Sequence, residues 1–212
     1  DGPYIAIVGV ASRGIVGSGG AGLFASADGQ YRRASLAVPW ERTTISVGAS
    51  TVIALFDLQL HPMDASRAYA SAQLASGPRA ILRRADGGAT FTAIYTFSFP
   101  AVLTGLAPAP GNPDTVYAAL IGDGLLKSTD AGGTWTVIAP TLSTAQREFR
   151  VSPADDAVLY AVDGDLLVRS DDSGATFVPA NNGIPAGQSL GQLRTTLAAA
   201  DALVVADRTS PR

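Results

Sequence analysis

The chain has 212 residues, of which 47% are apolar and 16% charged, and it contains no cysteine. The apolar content is sufficient for a folded core, which argues against a disordered chain, and the lack of cysteine excludes disulfides and thiolate metal sites. The net charge of −3, with scattered basic residues, makes a nucleic-acid partner unexpected. No apolar run approaches the ~18 residues of a membrane span.

The first 44 residues are predicted to form a degenerate sheet. Residues 4–10 and 23–26 have strand patterns, and we assign them as the second and third strands of a sheet that lacks its first strand. Residues 17–22 match G-x-G-x-x-G. The nucleotide-binding form of that motif needs a helix directly afterwards, whereas a strand-like segment follows here. We interpret the glycines as a loop between strands.

The rest of the chain is predicted to repeat one unit. The boundaries are 45–97, 98–140 and 141–182, with an incomplete unit at 183–212. Each complete unit has a Pro seven residues before a Tyr-Ala pair. An apolar strand precedes the Pro, the Tyr lies on the second strand, a hairpin leads to the third strand, and a polar turn leads to the fourth.

The polar turn has the sequence Ser-x-Asp-x-Gly-x-Thr-aromatic, and the first copy lacks the Ser. Ser and Asp side chains can bond nearby backbone N–H groups, Gly permits positive φ, and the ring offers a large apolar face to bury between sheets. The copies are formed by Asp86, Gly88, Thr90 and Phe91; by Ser128, Asp130, Gly132, Thr134 and Trp135; and by Ser170, Asp172, Gly174, Thr176 and Phe177.

This turn resembles the Asp-box, or bacterial neuraminidase repeat, of sialidase-like β-propellers. The central aspartates lie 44 and 42 residues apart, close to the ~40–45 residues of a four-stranded blade. The resemblance implies an all-β propeller segment of about four to five antiparallel four-stranded blades, as part of a larger ring. Residues 110–117 look more similar to xyloglucanase-type hydrolases, photosystem II assembly-factor propellers and sortilin-like receptors.

Two acidic residues are candidates for glycoside hydrolysis, which needs two carboxylates roughly 5–10 Å apart in one cleft. Asp57 and Glu148 each lie five residues before the Pro of their unit, and Gly105 holds this place in the unit between them. In propellers the first strand lines the central channel. The alternative interpretation is that these acids line a wet channel or bond neighbouring backbone, since a channel-facing acid need not be catalytic. No sialidase catalytic residue can be transferred to this sequence.

Other candidate chemistry has simpler explanations. The single histidine, His61, lies beside a Pro at a strand end without a G-x-S-x-G motif, and we interpret it as a surface or turn residue. The pairs Arg32-Arg33 and Arg83-Arg84 are interpreted as solvated strand positions. Calcium prefers oxygen ligands, and six aspartates could supply them. Because these aspartates lie in different turns, we favour the interpretation that they are solvated turn residues. They are Asp155, Asp156, Asp163, Asp165, Asp171 and Asp172.

We therefore expect neither a cofactor nor a metal. The expected function is a non-catalytic binding or scaffold module for protein partners outside the cytoplasm, with the remaining blades of a larger propeller or a carbohydrate as further partners. The alternative is a secreted glycoside hydrolase of the xyloglucanase or sialidase type that uses Asp57 and Glu148. A single lysine, with abundant Ala, Gly and Ser, favours an exported bacterial protein, either extracellular or periplasmic.

Overall fold

The computed structural model describes residues 6–9, 12–16, 22–26, 29–33, 39, 41–61, 64–85, 90–97, 101–139, 146–185, 188, 190–195 and 203–207. These residues form strands and turns, with no helix among them. The chain divides into two compact units, 1–99 and 100–212. All described strand pairs are antiparallel, as predicted.

The first sheet of the first unit has five strands in chain order: β1 (Ala6–Gly9), β2 (Ser12–Val16), β3 (Gly22–Ser26), β4 (Gly29–Arg33) and β5 (Glu41–Thr43). The prediction that its first strand is missing is wrong. Gly9 pairs with Ser12, so residues 4–10 contain β1, which pairs with β2 and does not adjoin β3. Because β3 is a strand, the nucleotide-binding interpretation of residues 17–22 lacks its helix.

The second sheet also has five strands, in the order β10-β9-β8-β7-β6. Alternate residues of β8 (Ala68, Ala70, Ala72 and Leu74) are buried in one core cluster, because strand side chains alternate between the two faces of a sheet. The strands are β6 (Ser46–Val47), β7 (Ser50–His61), β8 (Asp64–Leu74), β9 (Arg79–Arg84) and β10 (Thr92–Phe97).

The second unit contains two four-stranded sheets, each in chain order. The third sheet consists of β11 (Val102–Pro108), β12 (Val116–Ile121), β13 (Gly124–Ser128) and β14 (Thr136–Ala139). The fourth consists of β15 (Gln146–Val151), β16 (Leu159–Asp163), β17 (Leu166–Ser170) and β18 (Val178–Pro179). β19 (Leu190–Thr195) and β20 (Leu203–Asp207) pair separately.

The first strands of successive sheets in the second unit are neighbours, since β11 contacts β15 and β15 contacts β19. Tyr117 and Phe149 lie between the third and fourth sheets with ring centroids 5.9 Å apart. A Cβ atom added at Gly105 would lie 2.9 Å from the Cβ of Phe149. The absence of a side chain at Gly105 therefore lets the two first strands approach closely.

Candidate functional site

The turn between β13 and β14 is closed by its own side chains. The Ser128 hydroxyl donates to Asp130 Oδ1 at 2.8 Å and accepts from the Gly132 backbone N–H at 2.8 Å. Both oxygens of Asp130 bind Thr134, one through the backbone N–H and one through the hydroxyl, each at 2.8 Å. Both oxygens of the carboxylate are thus bonded within the seven residues from Ser128 to Thr134.

The turn between β17 and β18 makes the same bonds. Ser170 Oγ donates to Asp172 Oδ1 at 2.7 Å and accepts from Gly174 N–H at 2.9 Å. Asp172 accepts from the backbone N–H of Thr176 at 2.8 Å and from its hydroxyl at 2.6 Å. In the first copy, Asp86 and Gly88 lie outside the described residues, Thr90 is exposed, and Phe91 is buried.

Each turn is also bonded to the loop between the first two strands of its own sheet. The N–H groups of Ala131 and Ser173 donate to the carbonyls of Asp114 and Ala157, at 2.7 and 2.9 Å. Ala131 has φ 57° and Ser173 φ 61°, a left-handed conformation that is uncommon outside glycine. Sequence reasoning assigned positive φ only to the following glycine, because the preceding residue type varies.

The glycine of the second turn is packed against the third sheet. A Cβ atom at Gly174, where φ is +91°, would lie 2.6 Å from Ile138 Cδ1 and 2.9 Å from Leu159 Cδ1. Phe177 packs against the same apolar cluster, and Trp135 is half-buried. The turn therefore contributes to packing between sheets as well as to chain reversal.

The hydrogen bonds in the turns stabilise the ionised carboxylates. Led by the Thr134 backbone N–H, they lower the pKa of Asp130 from 3.8 to about 2, and the Thr176 hydroxyl is the main cause of the same shift in the pKa of Asp172. A folded-state pKa below the unfolded value stabilises the fold above the unfolded pKa. This stabilisation is lost as the pH falls from about 4 to about 2. A carboxylate with so low a pKa is unsuited to general acid catalysis at neutral pH.

The two predicted catalytic acids occupy the same position on the first strands of their sheets. Asp57 pairs with Ser71, Gly105 with Ala119 and Glu148 with Val162, in each case two residues after the Tyr. Immediately before each position the strand contains one unpaired residue, a β-bulge formed by Phe56, Thr104 and Arg147, respectively. Bulges re-aim the side chains beside them and are common next to active sites. The sequence gives no signal for these bulges, since the three bulged residues are aromatic, polar and charged, respectively.

The Glu148 carboxylate is already paired. Its Oε1 lies 2.5 Å from Arg150 Nη2, and the Glu148 and Arg150 side chains are 18% and 23% exposed, respectively. Arg150 Nη1 also donates to the Phe149 carbonyl at 2.6 Å. A substrate at Glu148 would have to compete with this pair. For Asp57 the structure describes only the backbone, in β7. Asp57 lies in the first unit and Glu148 in the second. Their action as a catalytic pair therefore stays a prediction.

Two other expectations need correction. His61 is fully buried at the end of β7 and pairs across the strand with Asp64, so the surface assignment is wrong; the register of the hairpin turns its ring inward. Arg83 and Arg84 lie on β9 as strand residues but are half-buried, so the interpretation as solvated positions is only partly correct. The side chains of Arg32 and Arg33 lie outside the described residues.

Three aspartates in the polar turns of the fourth sheet are occupied by bonds to other groups of the chain. Asp155 accepts from Ala157 N–H at 2.8 Å, and Asp156 Oδ1 accepts from Gly111 N–H of the third sheet at 2.7 Å. Asp171 pairs with Arg169 at 2.7 Å. Across the described residues, no group of three or more His, Asp or Glu side chains is placed to hold a metal ion.

A basic residue lies opposite each repeated Tyr, a feature that sequence reasoning missed. Tyr69 pairs with Arg83, Tyr117 with Lys127 and Tyr160 with Arg169. The Lys127 ammonium lies 5.4 Å from the Tyr117 ring centroid and the Arg169 guanidinium 5.5 Å from that of Tyr160, within the range of cation–π attraction. The signal was present, because each basic residue directly precedes the first position of a polar turn.

Antiparallel sheets of four and five strands, with adjacent first strands in the second unit, give the chain the fold of a β-propeller segment. The GH74 enzyme of Niastella koreensis matches at 20% identity and TM-score 0.62, over 90% of this chain and 30% of that chain. The GH74 xyloglucanase of Xanthomonas campestris matches at 18% identity and TM-score 0.61, over 90% and 34%, respectively.

YCF48 from Cyanidioschyzon merolae matches at 15% identity and TM-score 0.55, over 89% of this chain and 61% of that chain. The chain spans about a third of the length of each of the two GH74 enzymes. At these identities the similarity shows the fold alone. No protein-family model matches the sequence, and no curated protein does.

Proposed function

We propose that the chain is a non-catalytic binding or scaffold module that contacts protein partners outside the cytoplasm. The observation that carries the proposal is the ion pair between Glu148 and Arg150, which occupies the carboxylate that a hydrolase would need free. In this proposal the residues of the polar turns are structural, as their hydrogen bonds to their own backbone suggest. The described residues include no helix long and apolar enough to cross a bilayer.

The test is complex formation by the intact protein in the absence of turnover. Chemical cross-linking followed by mass spectrometry should capture a defined protein partner that co-elutes with the chain in size-exclusion chromatography. Hydrolysis of β-glucans and sialosides should stay at the level of a buffer blank. Turnover without any stable partner would contradict the proposal.

The second candidate is a secreted glycoside hydrolase of the xyloglucanase or sialidase type. The specific observation in its favour is that Asp57 and Glu148 share one register position directly after a bulge. If they are catalytic, Asp57→Asn and Glu148→Gln should each abolish hydrolysis, by at least about a hundredfold. Asp171→Asn, an exposed acid paired with Arg169, is the matched control and should retain full activity.

A further inference from the structure

The first two strands of the second sheet are longer than their counterparts in the third sheet. β7 and β8 have twelve and eleven residues, whereas β11 and β12 have seven and six. The extra length of β7 lies at its start, beside the turn that joins β8 to β9. Ser50 and Ser76 bond through their hydroxyls at 3.1 Å across this end, and Ala75 N–H donates to the Thr51 carbonyl at 2.9 Å. The start of β7 is therefore a hydrogen-bonded part of the sheet and not a loose loop.

Two bulges in β7 present apolar side chains to solvent. Ile53 and Phe56 are the unpaired residues of successive bulges, and each directly follows a residue of the core, Val52 or Leu55. Ile53 is 64% exposed and Phe56 38% exposed. A strand normally places such residues in the core, so their exposure calls for a partner more than a single surface leucine would.

A guanidinium lies over the exposed ring. Arg79 Cζ is 5.3 Å from the centroid of Phe56, and Arg79 Nε donates to Gln73 Oε1 at 3.4 Å. Gln73 is itself fixed, since its amide donates to the Gly77 carbonyl at 2.6 Å. None of the described carboxylates forms an ion pair with Arg79, unlike Arg67, which binds Asp64 at 3.1 Å. Arg79 is thus held in place with its charge unmatched.

We propose that this surface, formed by Ile53, Phe56 and Arg79, binds an extended segment of a partner protein that carries an apolar side chain next to a carboxylate. The inference rests on the proposed binding function and specifies the partner's chemistry. Aromatic residues and arginine are enriched at protein interfaces, and an arginine fork fits a carboxylate with two hydrogen bonds. The apolar side chain would cover Ile53 and the Phe56 ring, while the carboxylate would form an ion pair with Arg79.

The test uses the intact chain on an array of synthetic peptides. Each peptide has a Ser/Thr frame with one central residue (Leu, Phe or Ser) and one neighbour (Asp, Lys or Asn). Wild type should select Leu or Phe beside Asp. Ile53→Ser and Arg79→Glu should each weaken that binding at least about tenfold, and Arg79→Glu should shift the preference to the Lys peptides.

Matched control variants distinguish binding at this surface from nonspecific binding elsewhere on the protein. Val178 is 56% exposed and Arg42 is exposed on β5, so Val178→Ser and Arg42→Glu make the same changes elsewhere and should leave binding unchanged. Thermal melts within about 3 °C of wild type show that the variants fold.

No preference for acidic–apolar peptides, or a preference that survives Arg79→Glu, would overturn the inference. A cross-linked partner retained by Arg79→Glu would refute this surface while leaving the binding module intact.

Discussion

Replacement of Gly174 by alanine tests the packing of the polar turn between sheets. Gly174 has φ +91°, and the added methyl group would lie 2.6 Å from Ile138 Cδ1 and 2.9 Å from Leu159 Cδ1. The left-handed backbone alone should cost about 1–2 kcal/mol, and forcing a methyl group into a packed site about 1–3 kcal/mol more. The expected loss of about 2–5 kcal/mol is a large part of a typical domain stability of about 5–15 kcal/mol.

Gly183→Ala is the matched control, because Gly183 has φ +86° and no atom within 4 Å of the added Cβ. This variant should lose only the free energy of unfolding that the left-handed backbone conformation costs an alanine. Urea unfolding of both variants gives the two losses directly, and at about 2–4 °C per kcal/mol the melting temperatures should differ visibly. Equal losses for Gly174→Ala and Gly183→Ala would refute the close packing of this turn against the third sheet.

Three further predictions concern the turns and the first strand. Between about pH 4 and pH 2 the free energy of unfolding of the wild type should fall as Asp130 and Asp172 become protonated. The double variant Asp130→Asn, Asp172→Asn has no such carboxylates, so its free energy of unfolding should depend less on pH in this window; identical slopes would contradict the lowered pKa values. Ser128→Ala leaves a buried N–H group without its acceptor and should cost about 1–3 kcal/mol in urea unfolding, against little change on Ser128→Thr. A double-mutant cycle of Glu148→Gln and Arg150→Met should yield a coupling of about 0.5–3 kcal/mol; zero coupling would show that the pair is not formed.

The repeating unit was predictable because its polar turns depend on short-range chemistry. Each hydrogen bond inside the turn of Ser128 and Asp130 joins residues at most four positions apart. Such bonds form wherever the residue types occur at the right spacing. The strands on either side follow from apolar runs punctuated by these turns, and the all-β fold follows from their repetition.

The candidate site was predictable only in part. Alignment on the Pro correctly placed Asp57 and Glu148 at equivalent positions, because equal spacing along a repeated strand gives equal register. The bulge before each of them, the Arg150 partner of Glu148 and the exposure of Phe56 did not follow from the sequence. Each depends on which residue of another strand lies opposite.

Burial and the assignment of strand partners required the tertiary structure. His61 reads as a surface residue in a turn-like sequence but is fully buried, and residues 4–10 read as a second strand but contain the first. In both cases the local sequence is compatible with either arrangement. A shift of one residue in strand register exchanges the buried and exposed faces, so the free energy of packing the whole sheet, and not the propensity of any one segment, decides between them.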